Sequence, residues 1–445
     1  MTDQVLIIGG GLAGVEAALE CARAGAQVLI LERSPVAGGR LAAPLSEEKG
    51  AEGGLPALQA LADNDRIRLV TQAELVSVAG RPGSFTVKFR RQERFVSDAC
   101  TRCNLCRAAC PVVVPNEWDA GLTYRKAIYT PLASTLPEAY VIDLSHCLNQ
   151  PPNYLPCRRC AEVCEDDAIS FEFPLQTEEE VQVASLVLAA GVDIGDANGL
   201  EDLGYGAHPD ILTSAELQRM LETPGPSGGF AVRPSSEDYP ASILLVVNAL
   251  EPFGLYVLAS QVHQLVEQGV DEIHVLVPSL PELGASLDDV PGLVLHQGGM
   301  FRSAGGDDGG VRTSWEDFSD RRLVSRDYDL VVLATSVVPP SGLGELAALL
   351  GMGLGDDGYV DGNLPQPDGV YAAGCVTGPK SVADTRRDAL RAAELALADV
   401  NPRLLDPQYL ERKGIELEPE SGVDRPQDDI RGRIEQMLYG LLQQS

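Results

Sequence analysis

Eight of the ten cysteines in this 445-residue chain fall within 65 residues, between Cys100 and Cys164. They read Cys100-Thr-Arg-Cys103-Asn-Leu-Cys106-Arg-Ala-Ala-Cys110-Pro111, then Cys147, then Cys157-Arg-Arg-Cys160-Ala-Glu-Val-Cys164. Spacers of two, two and three residues closed by proline are those of a bacterial iron–sulfur run. One tight loop then presents three thiolates to one cube, and the fourth thiolate leaves in another direction for a second cube. A disulfide framework is the competing reading, but such frameworks belong to small secreted chains, and this chain is large.

The length allows two to three domains with sizeable buried cores. With 34 Lys+Arg against 65 Asp+Glu the net charge is −31, which argues against a nucleic-acid or anionic-membrane surface. It reads as a solvated acidic surface; a docking face for a basic redox partner is the second reading. No uninterrupted apolar run approaches the roughly 20 residues of a membrane span. The first strand begins at Val5 with no secretory leader before it. The expectation is a cytoplasmic chain with no membrane span of its own, attached to a membrane, if at all, through a partner subunit.

A short apolar strand, Gln4 to Ile8, runs into Gly9-Gly10-Gly11-Leu12-Ala13-Gly14 and an alanine-rich helix from about Val15 to Ala24. A second strand, Gln27 to Leu31, ends in Glu32, 18 positions after Gly14. This is the βαβ pattern of a dinucleotide site. Gly9 makes the tight turn, Gly11 lets backbone approach a pyrophosphate, Gly14 lets helix and strand pack closely, and Glu32 binds ribose hydroxyls. After Glu32 comes Arg33, then Gly38-Gly39-Arg40. A glycine pair there resembles the two-dinucleotide-binding-domain flavoproteins, in which it lies along FAD. Leu186 to Gly191 and Leu330 to Thr335 are similar to that superfamily's paired strand-and-turn segments between lobes, and Asp368 to Gly374 to its late strand at the flavin. Ala73 to Val87 reads as a strand pair around Gly80-Arg-Pro-Gly83, and the resemblance puts Leu75 near the adenine.

The cysteine segment is therefore an insert between the Phe85–Arg90 strand and the Leu186 strand. A second lobe follows, with strands at Ser242 to Asn248 and Glu272 to Val277 and a helix from about Leu255 to Gln268. Its first turn, Asn248 to Gly254, has no GxGxxG pattern, so no NAD(P)H site is expected there. Gln297 to Ser319, rich in Gly and Asp, reads as an exposed hairpin or mobile loop. Near the end, Ile430, Ile434, Leu438, Leu441 and Leu442 recur at helical spacing. That helix either packs on its own domain or binds a partner. The boundaries are 1–91 for the first part of the FAD domain, 92–175 for the insert and 176–240 for the return and linker. Residues 241–335 form the second, degenerate lobe, 336–400 the second part of the FAD domain, and 401–445 a tail with the terminal helix.

Several stretches carry a more specific resemblance: Cys110-Pro-Val-Val-Val-Pro-Asn-Glu-Trp118, Gly121 to Pro131, Gly204-Tyr-Gly206 with Ile211 to Glu216, Gly225 to Gly229, and Ala373-Gly374-Cys375-Val-Thr-Gly378-Pro379-Lys380 through Asp384. The chain resembles the A-type subunits of heterodisulfide reductase and their relatives over roughly residues 1 to 400. Ordinary flavin disulfide reductases have aspartate where Cys375 stands. The resemblance implies an α/β, thioredoxin-reductase-like, two-dinucleotide-binding-domain flavoprotein with an inserted double-cluster ferredoxin domain. It implies FAD beside two [4Fe–4S] clusters, in one component of a multi-subunit redox complex; a homodimer is a further possibility. The methanogen members are longer, and their middle lobe has cysteine motifs that this chain lacks. Short bacterial relatives are nearer in size, among them flavin subunits of quinone-interacting membrane-bound oxidoreductase and heterodisulfide-reductase-like sulfur-oxidation systems.

Crossed ferredoxin wiring assigns cluster one to Cys100, Cys103, Cys106 and Cys164, and cluster two to Cys157, Cys160, Cys110 and Cys147. Cys147 is the weakest assignment, because nine residues separate it from Cys157 where two are usual. Cys21, on the first helix, reads as a small packed hydrophobe. By resemblance Cys375 sits at the flavin strand end. Lys380 either approaches the isoalloxazine edge, where a cation stabilises reduced flavin, or is a surface lysine. His146, His208, His263, His274 and His296 have no metal-ligand spacing and read as structural, although His146 adjoins Cys147. The expected function is electron transfer in a heterodisulfide-reductase-like complex of sulfur metabolism. The alternatives are a soluble NAD(P)H-dependent oxidoreductase, a pure electron-wiring component and the flavin subunit of a quinone-linked respiratory complex.

Overall fold

The computed structural model describes residues 3–39, 54–131, 136–149, 155–195, 199–223, 225–247, 251–280, 283, 287, 290–306, 309–364 and 366–400. Arg40, the turn residues 248–250, part of the 148–156 spacer and the whole 401–445 tail with its helix-spaced residues lie outside them.

The chain opens with strand β1 (Gln4–Ile8), helix α1 (Leu12–Arg23) and strand β2 (Gln27–Glu32). α1 begins directly after Gly11, three residues before the expected start, because Gly14 is needed inside the first turn for close packing. Helix α2 (Gly54–Ala62) and strands β3 (Ile67–Thr71), β4 (Ala73–Arg81) and β5 (Ser84–Gln92) follow. β4 and β5 form the hairpin expected around Gly80–Gly83.

From Gln92 the chain enters a segment of short pieces: α3 (Leu105–Ala109), β6 (Val114–Pro115), β7 (Tyr124–Arg125), β8 (Ile128–Tyr129), β9 (Val141–Ile142) and α4 (Arg159–Glu162). Its small core is Phe95, Val96, Ile128, Tyr140, Ile142 and Ile169 packed around Cys106, Cys110, Cys147 and Cys160. Strand β10 (Gln176–Val183) returns alongside β5, with Gln176 opposite Gln92, and β11 (Ser185–Leu188) re-enters the first sheet beside β1.

A narrow strand β12 (Asp193–Ile194) leads to β13 (Ile211–Thr213) and α5 (Ser214–Leu221), whose start is fixed by a Thr213–Glu216 capping box. β14 (Ser242–Val246), α6 (Pro252–Glu267) and β15 (Glu272–Val277) form the expected second βαβ unit. Strands β16 (Leu293–Gly305), β17 (Val311–Asp317) and β18 (Arg322–Tyr328) then make an antiparallel meander. Of the exposed hairpin or mobile loop expected over Gln297 to Ser319, the hairpin is what forms, as β16 and β17, but it is not simply exposed. Its described part is sheet, with Trp315 fully buried and Phe301 and Val311 in the core, so cross-strand pairing overrides the Gly-rich composition. β19 (Leu330–Leu333), β20 (Val337–Val338), α7 (Leu343–Leu350), β21 (Val370–Ala372) and α8 (Val382–Val400) complete the described chain.

Two main sheets result, the first all parallel and the second parallel up to β16 with an antiparallel edge. The first has order β21-β11-β1-β2-β3; the second has order β13-β19-β14-β15-β16-β17-β18. The second sheet therefore takes in Ile211–Thr213, from the stretch expected to be return and linker. Continuous apolar strands such as Val5–Ile8 and Leu186–Leu188 are buried on both faces, as parallel strands between layers must be. Small residues let α8 lie close on α1: Ala389, Ala392, Ala393 and Ala396 share a core with Ala17, Ala18 and the fully buried Cys21. The antiparallel β12–β20 pair links the lobes. Two such βαβ-built sheets, with a cysteine-rich insert, are the thioredoxin-reductase-like architecture expected. No helix among the described residues is long and apolar enough to cross a membrane.

Candidate functional site

A cavity of about 760 Å³ opens at the carboxyl end of β1 and β2, the edge where α/β sheets bind ligands. Its lining includes Gly9, Gly11, Glu32, Arg33, Gly39, Leu75, Gly191, Cys375 and Lys380. All of these were expected at the cofactor from sequence. Gly14 and Gly374 are not in the lining; each closes a contact behind it. A Cβ on Gly14 would stand 1.8 Å from the Gly9 carbonyl oxygen, and one on Gly374 2.7 Å from the Ala13 Cβ. Gly39, at φ +60°, passes so near Gly11 that a Cβ there would lie 2.8 Å from the Gly11 Cα. The α1 N-terminus thus presents bare backbone to the cavity, the arrangement that receives a pyrophosphate. Volume and cradle together fit a dinucleotide.

Glu32 is buried, and its carboxylate accepts from the backbone N–H of Gly10 and of Ser34, each at 2.6 Å. These bonds fix the carboxylate at the end of β2, with lone pairs left for ribose hydroxyls. Arg33 donates to the Ser341 carbonyl at 2.6 Å and so joins β2 to the late chain across the cavity mouth.

Lys380 reaches the cavity wall, but not as a free cation. Its Nζ donates to Thr377 Oγ1 at 2.5 Å and to the Asp388 carboxylate. Cys375 lies in the 3-10 turn Gly374–Thr377, with Sγ 3.7 Å from Thr385 Oγ1 and 3.9 Å from the Lys380 carbonyl oxygen. It packs by Val192, Phe253, Val337 and Tyr359, where the two lobes meet.

The insert is seated directly on this cavity. Ala37, two residues before Gly39, bridges to Leu136, with Ala37 N–H donating to the Leu136 carbonyl at 2.8 Å. Arg94 donates from Nη1 to the Pro35 carbonyl and from Nη2 to the Ala139 carbonyl at 2.8 Å. Burial pulls its pKa down to about 10. Glu117 and Trp118 of the insert line the cavity itself. In sequence these two residues belong only to a linker between cysteine runs; nothing in their spacing says that the chain folds back on the first lobe.

The thiols fall into two sets. Cys106 lies among Cys100, Cys103 and Cys164; burial, then those neighbours, push its pKa up to about 11. Cys160 lies among Cys147 and Cys110, with Cys106 a weaker neighbour, and burial first pushes it up to about 12. Cys110, Cys147, Cys157 and Cys160 also line one small pit. The long spacer after Cys147 therefore leaves that residue in the buried cluster. Ala168 N–H donates to Cys164 Sγ at 3.3 Å, a bond of the kind that tunes a ligand sulfur. Among the described residues no three His, Cys, Asp or Glu side chains converge on a single-ion site. Four thiolates around a cube stand further apart than four around one ion, so the donor chemistry fits iron–sulfur clusters. Binding would then deprotonate thiols that burial otherwise keeps neutral.

The histidines lie outside the cavity lining. His146 Nδ1 sits 2.8 Å from Asp143, and His274 and His296 pair at 2.8 Å within the second sheet. In the second lobe the α6 N-cap is Glu251, whose carboxylate accepts from the Val337 N–H at 2.8 Å. An acid therefore stands where a second pyrophosphate would have to approach.

Residues 4–49 match the family model described as FAD dependent oxidoreductase. The iron–sulfur A-type subunit of the CoB--CoM heterodisulfide reductase of Methanocaldococcus jannaschii is 31% identical over 422 residues, covering 87% of this chain and 63% of its own. The corresponding A-type subunit of the H(2):CoB-CoM heterodisulfide,ferredoxin reductase of Methanothermobacter thermautotrophicus is 28% identical over 427 residues, covering 88% of this chain and 63% of its own. The present chain thus spans less than two thirds of the length of either relative. A thioredoxin reductase structure from Lactococcus lactis aligns with 89% of this chain and 98% of its own at 13% identity and a TM-score of 0.47. Over the length it shares with these relatives the chain is similar to the A-type subunits of heterodisulfide reductase, with an FAD dependent oxidoreductase segment at residues 4–49.

Proposed function

We propose that this chain is a cytoplasmic flavin and iron–sulfur electron-transfer subunit of a heterodisulfide-reductase-type complex in sulfur metabolism. Its FAD would supply exchange of an electron pair, and two [4Fe–4S] clusters would supply the one-electron steps towards partner subunits. The Gly9–Gly14 turn, Gly39 and Glu32 hold the cofactor's phosphate and ribose end. Cys375 and Lys380 border its ring end, and Lys380 brings a charge that Asp388 partly balances. Cys100, Cys103, Cys106 and Cys164 hold one cluster; Cys110, Cys147, Cys157 and Cys160 hold the other.

The observation that carries this reading is the seating of the insert. Its Leu136 and Trp118 meet the cavity's own loop and wall, and Arg94 links Ala139 to Pro35, so the insert bearing both thiol sets packs on the cavity. A separate NAD(P)H-driven oxidoreductase is disfavoured by Glu251 at the α6 N-terminus.

The test is anaerobic purification of the native chain, with flavin and iron counted and companions identified. One FAD and about eight irons per chain, with redox subunits co-purifying, is the expected result. About four irons would sink the two-cluster assignment. Direct bleaching of the flavin by NAD(P)H would overturn the subunit reading, and a co-purifying haem or membrane protein would move it to a quinone-linked complex.

A further inference from the structure

We infer that Trp118, carried by the cysteine insert, is a positioning residue of the flavin site: its ring forms the wall at the Cys375 end. This rests on the FAD reading above. Trp118 lies in the 3-10 turn Glu117–Asp119, capped by Asn116, whose Oδ1 accepts from the Trp118 N–H at 3.2 Å. Asn116 Nδ2 also donates to Asp119 Oδ2 at 2.7 Å and so closes the turn on itself.

Both sequence neighbours are tethered in opposite directions. Glu117 is held within the insert by Arg125, at 2.6 and 2.7 Å. Asp119 reaches the second lobe, where Arg219 of α5 donates to it at 2.8 Å. Arg125, Asp119 and Arg219 are largely buried and Glu117 half-exposed, so the Asp119–Arg219 pair is the less screened of the two. The turn cannot swing without breaking one of them, and Trp118 is fixed between.

What it is fixed against is the junction of two chambers. Trp118 lines the flavin cavity and also a side chamber of about 200 Å³ at the carboxyl ends of β14 and β19. Gly39, Glu117 and Phe253 are shared with it in both linings. Phe253 packs with the group that holds Cys375, which places Trp118 at the ring end of the cavity rather than at the Leu75 end. The buried Nε1 makes no hydrogen bond of acceptable geometry, although the Tyr129 hydroxyl interacts with it. What the indole offers the cavity is therefore its ring. A planar aromatic ring beside a planar cofactor contributes both buried area and stacking.

The experiment is FAD titration of the full cluster-loaded chain after reversible flavin removal, with iron counted for every variant. Trp118→Ala should weaken FAD binding about tenfold or more, the loss of one aromatic stacking contact. Trp118→Phe should stay within about threefold, because a ring remains. Trp315→Phe, at the protein's other tryptophan, should bind as wild type does. Trp118→Phe should also shift the visible absorption of bound flavin, since indole is the stronger electron donor; loss of iron or of general folding would not produce that pattern. A Trp118→Ala chain that keeps its iron and binds FAD like wild type overturns the inference. Should Trp118→Ala lose iron, an unshifted flavin spectrum in Trp118→Phe overturns it instead. A wild-type chain that takes up no FAD would sink the flavin reading itself, an outcome distinct from both.

Discussion

Gly39 lies against the Gly11 backbone with no room for a side chain of its own: a Cβ on Gly39 would lie 2.8 Å from the Gly11 Cα. Gly39→Ala therefore adds a clash to the cost of a left-handed residue, about 1–2 kcal/mol for the conformation alone. FAD affinity should fall tenfold or more by equilibrium titration, while iron content stays unchanged. Wild-type affinity in this variant would mean that the cradle does not hold the phosphates.

Cys147 is the thiol on which the second cluster turns. It lies buried with Cys110 and Cys160 despite its long spacer. Cys147→Ser should lower the iron content from about eight towards four per chain and remove one set of cluster signals in low-temperature EPR. Full iron in the variant would assign the fourth ligand elsewhere.

Lys380 and Asp388 form an ion pair at the cavity wall. Removing the cation in Lys380→Met should lower the flavin midpoint potential, because reduced, anionic flavin loses a positive charge that borders its cavity. A shift of about 30 mV corresponds to a tenfold change for a two-electron couple. Asp388→Asn should move the potential upward, since it leaves the lysine charge unbalanced. Equal potentials in all three proteins would remove Lys380 from the flavin's surroundings.

His274 is buried between His296 and Tyr328, with its Nδ1 2.8 Å from His296 Nε2 and 3.0 Å from the Tyr328 hydroxyl. Burial, chiefly, lowers its pKa from 6.5 to about 4. Folding thus favours the neutral ring. Its contribution is fully present above pH 6.5 and is lost as the pH falls towards 4, because the unfolded chain takes the proton first. The loss should reach roughly 3 kcal/mol at most. Urea unfolding of the second lobe, followed through Trp315 emission between pH 7 and 4, measures it. His274→Gln should flatten that part of the profile.

Arg94 ties the Pro35 and Ala139 carbonyls together. Arg94→Met leaves these part-buried carbonyls without their donor, at a cost of roughly 1–3 kcal/mol for each group left unsatisfied. Limited proteolysis should then cut near residues 92–94 or 175 faster than in wild type, while the first sheet survives. Unchanged digestion would place the insert's anchorage in the Ala37–Leu136 bridge alone.

The parts legible in the sequence were those set by local pattern. The Gly9–Gly14 turn ending in Glu32 follows from strand–turn–helix spacing, and the Cys110, Cys157 and Cys160 grouping from the cysteine runs. What escaped depends on contacts distant in sequence. Ile211–Thr213 looks like any short apolar stretch until β19 pairs with it. The Gly-rich stretch after Gln297 becomes sheet because Trp315 has a core to enter. Lys380 reads either as a cation at the flavin edge or as a surface lysine until α8 brings Asp388 into an ion pair with it. Trp118 could be found only once the Ala37–Leu136 bridge had laid the insert on the first lobe.

Gln92 and Gln176 are paired neighbours on β5 and β10, so the path into the cysteine segment and the path out of it run side by side. A two-residue turn would join those strands as an ordinary hairpin. To the host sheet, the whole iron-bearing segment is one enlarged hairpin loop. Such a loop can differ in length, cysteine spacing or charge without disturbing the strand register on either side, because the ladder from Phe85–Val183 to Gln92–Gln176 closes before it begins.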